Sequence, residues 1–188
     1  MTSRPTIVTV PCFSGAPWQI EQLEPLSHYN IISMRLPEYV DDVETYADFV
    51  QERVADLDSY VLVGDSFGAV ISIAFATRQP EHLQALVVSG GFAENPVTNP
   101  LLMMRLKVAR LFPGLLYRAL TLRFHAASLA SPHDYEGQIP WSKESSRKLF
   151  LENTPYKSYI GRAKAAFSAQ YVDKLQHINV PTLIITPS

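Results

Sequence analysis

The sequence predicts an α/β fold, a mostly parallel sheet covered by helices, and three observations carry that expectation. Apolar, strand-like runs alternate with stretches of helical spacing from Thr6 to Ser89, the order that places crossover helices between parallel strands. One of these runs, Tyr60 to Gly64 (YVLVG), is almost continuously apolar, as strands are when helices cover both faces of a sheet. With 188 residues, 47% of them apolar and 18% charged, the chain suits one domain core carrying an inserted segment.

The elements follow in order. Thr6 to Val10 (TIVTV) is a β-branched run closed by Pro11, and the turn-rich Ser14, Gly15, Ala16 and Pro17 come next, so a buried strand should run into a loop. Trp18 to Leu26 has apolar residues at helical spacing and predicts a short crossing helix. Asn30 to Leu36, ending before Pro37, reads as the second strand. Asp41 and Glu44 precede Tyr46, Phe49, Val50, Val54 and Leu57, the signature of a capped helix laid on one side of the sheet. Tyr60 to Gly64 is the third strand, Phe67 to Arg78 a helix stopping before Pro80, and Leu83 to Ser89 (LQALVVS) the fourth strand.

Charge marks a change of character after Gly90. Residues 95 to 130 hold no Asp or Glu but five basic residues, Arg105, Lys107, Arg110, Arg118 and Arg123, whereas residues 1 to 60 hold ten acids and three bases. The expected organisation is therefore a core segment over 1–94, a helical cap over 95–156, and a return to the core over 157–188. That last part should carry a helix from Ser158 to Ala169 and a strand from Val180 to Thr186.

Composition excludes several classes. Sixteen Lys and Arg against eighteen Asp and Glu give a net charge of -2, without the cationic excess that phosphate backbones demand, so no nucleic-acid partner is expected. Apolar runs stay far short of the roughly 20 residues that span a bilayer as a helix, and no transmembrane segment is expected. The start, Met1 to Phe13, is too short and too β-branched to form the apolar core of a secretory signal. One cysteine, Cys12, cannot form an internal disulfide; this fits a reducing compartment, and a cytoplasmic location is expected.

The chemistry-bearing pattern is Gly64, Asp65, Ser66, Phe67 and Gly68, a G-x-S-x-G set where an apolar strand gives way to a helix. With no loop between the two elements, Ser66 must occupy a sharp turn that lifts its hydroxyl clear of the sheet, and the flanking glycines let strand and helix approach closely. Backbone N–H groups at the start of the helix would point toward an oxyanion formed beside it. The simpler reading is that Ser66 only caps the helix.

Strand, G-x-S-x-G and helix in this order resemble the nucleophile elbow of the α/β-hydrolase superfamily. Pro11, Cys12, Phe13, Ser14, Gly15 and Trp18 occupy the places of that family's oxyanion loop, with Pro11 and Cys12 where His and Gly usually stand. RQPEHLQALVVSGG and INVPTLIIT resemble the family's passages into its next strands. The resemblance implies an α/β-hydrolase core, incomplete at its C-terminal side, with an inserted helical cap. It implies a serine hydrolase acting on an ester or related acyl bond through an acyl-enzyme on Ser66, without metal or organic cofactor. Gly64, Asp65 and Gly68 would shape the elbow, the backbone N–H groups of Phe13 and Phe67 would form the oxyanion hole, and the partner would be a small hydrophobic acyl or ester substrate. Nothing in the sequence specifies an oligomeric state.

A serine nucleophile also needs a base, normally a histidine oriented by a carboxylate. His28, His82 and His177 read as surface positions, while His125 and His133 fall in the insertion and could face a pocket. In the family the acid usually follows the strand that here ends at Thr186, and the histidine comes one strand later. The chain thus reads as truncated before both, with little activity of its own expected. Glu94 is a candidate acid one strand earlier, although it more readily starts the cap. Apolar residues of the insertion, among them Leu101, Met103, Met104 and Leu106, are expected to line a pocket above Ser66. The alternative of a different class is a non-catalytic binding protein that keeps the elbow for packing.

Overall fold

The computed structural model describes residues 5–95, 99–101, 104, 148 and 150–186. Five parallel strands, β1 (Thr6–Val10), β2 (Asn30–Ser33), β3 (Tyr60–Asp65), β4 (Leu83–Ser89) and β5 (Thr182–Ile185), form one sheet in the order β2-β1-β3-β4-β5. The chain leaves β1 for the outer strand β2 and then returns to the other side of β1 as β3. Ligand crevices of open parallel sheets open at the carboxyl ends of the two strands flanking such a reversal, here Val10 of β1 and Asp65 of β3.

The strands lie where the apolar runs place them; two helices are shorter than expected, and the last, of the expected length, starts and ends two residues earlier. Between β1 and β2, helix α1 covers only Ile20–Leu23, followed by a 3₁₀ turn at Glu24–Leu26. Pro25 has no N–H to continue an α-helical ladder. β2 ends at Ser33 rather than Leu36 because Leu36 turns away to donate its N–H to the Gly15 carbonyl at 3.0 Å. Helix α2 (Val43–Val54) is capped by Asp42, whose Oδ1 accepts from the Thr45 N–H at 2.7 Å; Asp41 forms an ion pair with Lys164 instead. Helix α3 (Phe67–Ala76) is buried along its whole length, as a helix apolar on every face save for Ser72 must be.

Val8, Val10, Leu62, Tyr46, Val50, Phe67, Val70 and Ile71 anchor the core between the sheet, α2 and α3. β3 departs from the expected burial on both faces: Tyr60, Leu62 and Gly64 are buried, while the alternate residues Val61 and Val63 are half-buried. The described helices cover one side of this strand more fully than the other. After residue 150 the chain forms helix α4 (Tyr156–Phe167) and a 3₁₀ turn at Val172–His177 before entering β5. Glu94 pairs with Gln170 in an antiparallel bridge and the Tyr171 N–H donates to the Ala93 carbonyl at 2.7 Å, so residues 93–95 and 169–171 run side by side. The expected cap segment lies largely outside the described residues; Leu101 and Met104 are about half exposed, and Met103 and Leu106 are among those not described. No helix among the described residues is long and apolar enough to cross a membrane.

Glu44 of α2 ties three elements together. Its carboxylate accepts from Arg78 just beyond α3 at 2.6 Å and from the Tyr171 hydroxyl at 2.9 Å, and Arg78 also bonds Asp48 at 2.7 Å. Burial pushes the Glu44 carboxyl up, but the Arg78 and Tyr171 bonds outweigh it and hold the pKa below its ordinary value. A depressed carboxylate adds stability that is complete above its unfolded pKa and is lost as pH falls through the folded one. The group is half exposed, which limits the contribution to about 1 kcal/mol. Glu44→Gln should therefore lower the melting temperature by roughly 2–4 °C at pH 7 and by progressively less as the pH is taken from 5 to 3. Thermal scans of both proteins across that range check it; an undiminished difference at pH 3 would contradict the assignment.

Candidate active site

Ser66 sits between the last residue of β3 and the first of α3, with φ 53° and ψ -113°. A non-glycine residue held there costs about 1–3 kcal/mol and persists only where its surroundings enforce it. The enforcement is visible in three glycines. A Cβ at Gly64 would stand 2.6 Å from Ala69 Cα, one at Gly68 would overlap the Val10 carbonyl oxygen and lie 2.5 Å from that of Pro11, and one at Gly91 would overlap the Ala69 side chain. Strand, helix and the chain leaving β4 thus converge on one turn. The Ser66 N–H is tied to the Ser89 carbonyl at 2.7 Å, and the Ser66 residue is exposed. This is the sharp turn that G-x-S-x-G predicts.

Phe67, the first residue of α3, has no carbonyl one turn earlier in its helix for its N–H. Its ring is buried and meets Tyr46 edge-on at 5.3 Å and Phe13 at 5.6 Å. Phe13 lies in the loop leaving β1, next to the Pro11 carbonyl that abuts Gly68. That loop folds back on itself: the Gly15 N–H donates to the Cys12 carbonyl at 2.9 Å, with Gly15 at φ 72°. Phe13 also packs edge-on against Tyr159 of α4 at 5.2 Å. The residues expected from the sequence at the elbow and the oxyanion loop therefore stand together at the carboxyl ends of β1 and β3.

Asp65 is half-buried beside the Ser89 side chain. Burial raises its pKa and the Ser89 hydrogen bond only partly offsets this, so the carboxyl belongs to the packing between β3 and β4. Glu94 is exposed and is held through its backbone to Gln170. The three described histidines are not brought to Ser66. The His82 carbonyl accepts from the Tyr60 N–H at the start of β3, His28 precedes β2, and His177 ends the 3₁₀ turn before β5. All three stand on the amino-terminal side of the sheet, and six residues of β3 put roughly 16 Å between its two ends. A cavity of about 700 Å³ bordered by Tyr29, Asn30, Asp56 and Asp58 opens at that same amino-terminal side, away from Ser66. His125 and His133 lie outside the described residues.

Two participants escape a reading of the sequence. Gly91, in an ordinary-looking Gly-Gly pair, is needed for the close approach to α3. Arg162 of α4 is buried behind the loop leaving β1, with its Nη1 on the carbonyls of Phe13 at 3.1 Å and Ser14 at 2.6 Å. A signal for it exists: Arg162 shares a helix face with Ala165 and Ala166, at spacings of three and four, and all three are buried.

Comparisons with known proteins agree with this architecture. A hydrolase from Pseudomonas aeruginosa PA01 superposes with a TM-score of 0.75 at 14% identity, covering 99% of this chain and 72% of that one. A thermophilic esterase from Thermogutta terrifontis gives 0.74 at 17%, covering 98% and 71%. An enol-lactonase from Burkholderia xenovorans LB400 gives 0.71 at 17%, covering 98% and 73%. At such identities these likenesses establish the α/β-hydrolase fold. A proline iminopeptidase from Thermoplasma volcanium is 33% identical over 52 residues, 28% of this chain but only 18% of that relative's length. The profile of the family described as serine aminopeptidase, S33, matches residues 31–187, and with most of its length so matched this chain is a member of the S33 serine aminopeptidase family of α/β-hydrolases.

Proposed function

We propose that the protein is a serine hydrolase of esters or related acyl bonds, with Ser66 as its nucleophile. The observation that carries the reading is the exposed, strained Ser66 at the junction of β3 and α3. In the proposed reaction the Ser66 Oγ attacks the acyl carbonyl carbon, and its proton passes to a base. The backbone N–H groups of Phe67 and Phe13 receive the negative charge that develops on the carbonyl oxygen. Collapse of the tetrahedral intermediate breaks the bond to the leaving alcohol, which takes up the proton, and water then hydrolyses the acyl-enzyme. Donors aimed at the developing oxyanion are each worth about 10²–10³ in rate. The shape of Gly64, Gly68 and Gly91 supports the arrangement, since each permits a contact that a side chain would block.

The base is assigned to none of His28, His82 or His177, because they stand on the far side of the sheet. Among the described residues no histidine stands by Ser66, while His125 and His133 lie outside them; weak turnover by these 188 residues is the proposal. Residues 95–156 are proposed as the cap over the site, which would give the acyl group an apolar wall.

A fluorophosphonate probe followed by peptide mapping tests the nucleophile. The expected result is a single phosphonylated residue, Ser66, with labelling abolished in Ser66→Ala. Inertness in a full-length form would favour the alternative of a non-catalytic binding protein that retains the turn for packing.

A further inference from the structure

Arg162 is the largest of the side chains with almost no exposure among the described residues, 1%. Among the described residues no carboxylate comes within ion-pairing distance of it, and its Nε has no hydrogen-bond partner. A buried cation without a counter-ion is a poor stabiliser, and an apolar side chain on this alanine-rich helix face would avoid the desolvation. The guanidinium donates through Nη1 to the carbonyls of Phe13 and Ser14, and the Tyr46 side chain stands beside it as a further partner. The Thr154 hydroxyl donates to the same Ser14 carbonyl at 3.2 Å.

The consequence follows from peptide geometry. In a trans peptide the C=O and N–H point in opposite directions. The Cys12 carbonyl is turned inward onto the Gly15 N–H, so the N–H of Phe13, in the same peptide group, points out of the turn. The next two peptide groups are fixed by their carbonyls on Arg162. Three consecutive peptide planes are thereby pinned, one by the turn and two by the guanidinium. Gly15 completes the fit, because any Cβ there would overlap the guanidinium. Helix α4 is itself held in place: a Cβ at Gly161 would overlap the Val40 carbonyl, and the Ser158 hydroxyl accepts from the Tyr39 N–H at 3.2 Å.

We propose that Arg162 is a positioning residue for the reaction at Ser66, holding the loop of Phe13 to Gly15 so that the Phe13 N–H faces the developing oxyanion. This rests on the reading of Ser66 as nucleophile. Arg162 touches no reacting atom; it acts through two backbone carbonyls. Misplacing such a donor by about 1 Å is worth on the order of 10² in rate.

The test measures the saturating rate of fluorophosphonate labelling and the half-saturating probe concentration for wild type, Arg162→Lys and Thr154→Val, each corrected for its folded fraction. Lysine keeps the charge, but its shorter side chain and freely rotating ammonium do not fix the two N–H directions that Nη1 presents to the carbonyls. The expected result is a saturating rate lowered about 10–100-fold in Arg162→Lys and about 2–5-fold in Thr154→Val, with half-saturation changed less than twofold. Backbone amide exchange should rise across residues 13–16 in Arg162→Lys and stay unchanged in β3 and α3. Wild type that is not labelled even in a full-length form overturns the nucleophile reading, and the exchange measurement still reports on the loop. Labelled wild type with equally reactive Arg162→Lys and Thr154→Val overturns the positioning role, as does amide exchange in residues 13–16 that does not change. If Arg162→Lys does not fold, Thr154→Val alone decides, since it removes one bond to the same carbonyl and leaves the cation in place.

Discussion

Gly68→Ala is expected to lower the melting temperature by about 6–12 °C and to abolish labelling at Ser66. The new Cβ would overlap the Val10 carbonyl oxygen and stand 2.5 Å from the Pro11 oxygen and 2.7 Å from the Val10 carbonyl carbon. All three are backbone atoms of an interior strand and its exit, so no flexible side chain can yield. Overpacking of this kind costs about 3 kcal/mol, and each kcal/mol moves the melting point of a chain this long by roughly 2–4 °C. Relief can come only by moving α3 away from β1, and that motion separates Ser66 from Phe13. Gly90→Ala is the contrasting case: a Cβ there meets nothing within 4 Å, and only its φ of 59° resists, at a cost of roughly 1–2 kcal/mol. Circular-dichroism melts and probe labelling of the two variants check the pair. A Gly68→Ala protein melting within 2 °C of wild type would mean that α3 does not rest against the end of β1.

The strands and the turn at Ser66 were legible in the sequence because local chemistry specifies them. A β-branched run such as TIVTV has few other stable homes than a buried strand, and a serine between an apolar strand and an apolar helix has no loop in which to relax. Helix ends were less legible. Pro25 was in plain view, yet only the structure shows that it leaves α1 a single turn, and choosing Asp42 over its neighbour Asp41 as the cap depends on a distant partner, Lys164. The sheet order is likewise non-local: nothing between Asn30 and Ser33 states that this strand lies outside β1. Arg162 shows the limit most clearly. Its spacing on an alanine face marks it as unusual, but its partners are carbonyls nearly 150 positions earlier, and carbonyls leave no trace in a sequence.

Ser66→Ala is expected to bring the turnover of p-nitrophenyl acetate that runs through an acyl-enzyme down to background, whereas His28→Gln, His82→Gln and His177→Gln should each leave it within twofold. The serine supplies the bond-forming oxygen, so no acyl-enzyme can form without it. The three histidines differ because of where the strands begin and end: each precedes or adjoins a strand's first residue, and Ser66 follows a strand's last. An imidazole must come within about 3 Å of the hydroxyl to take its proton, and the length of β3 alone exceeds that several-fold. A serine without such a base keeps only its oxyanion donors and substrate positioning, worth roughly 10³–10⁴ over water in serine proteases. The pH profile gives a second signature. Without an imidazole base the rate should climb steadily with hydroxide from pH 6 to 9, while a histidine base would produce a plateau above an inflection near its ordinary pKa of about 6.5. A plateau of that kind, lost together with turnover in His125→Gln or His133→Gln, would place the base within residues 95–156 and overturn the proposal of weak activity.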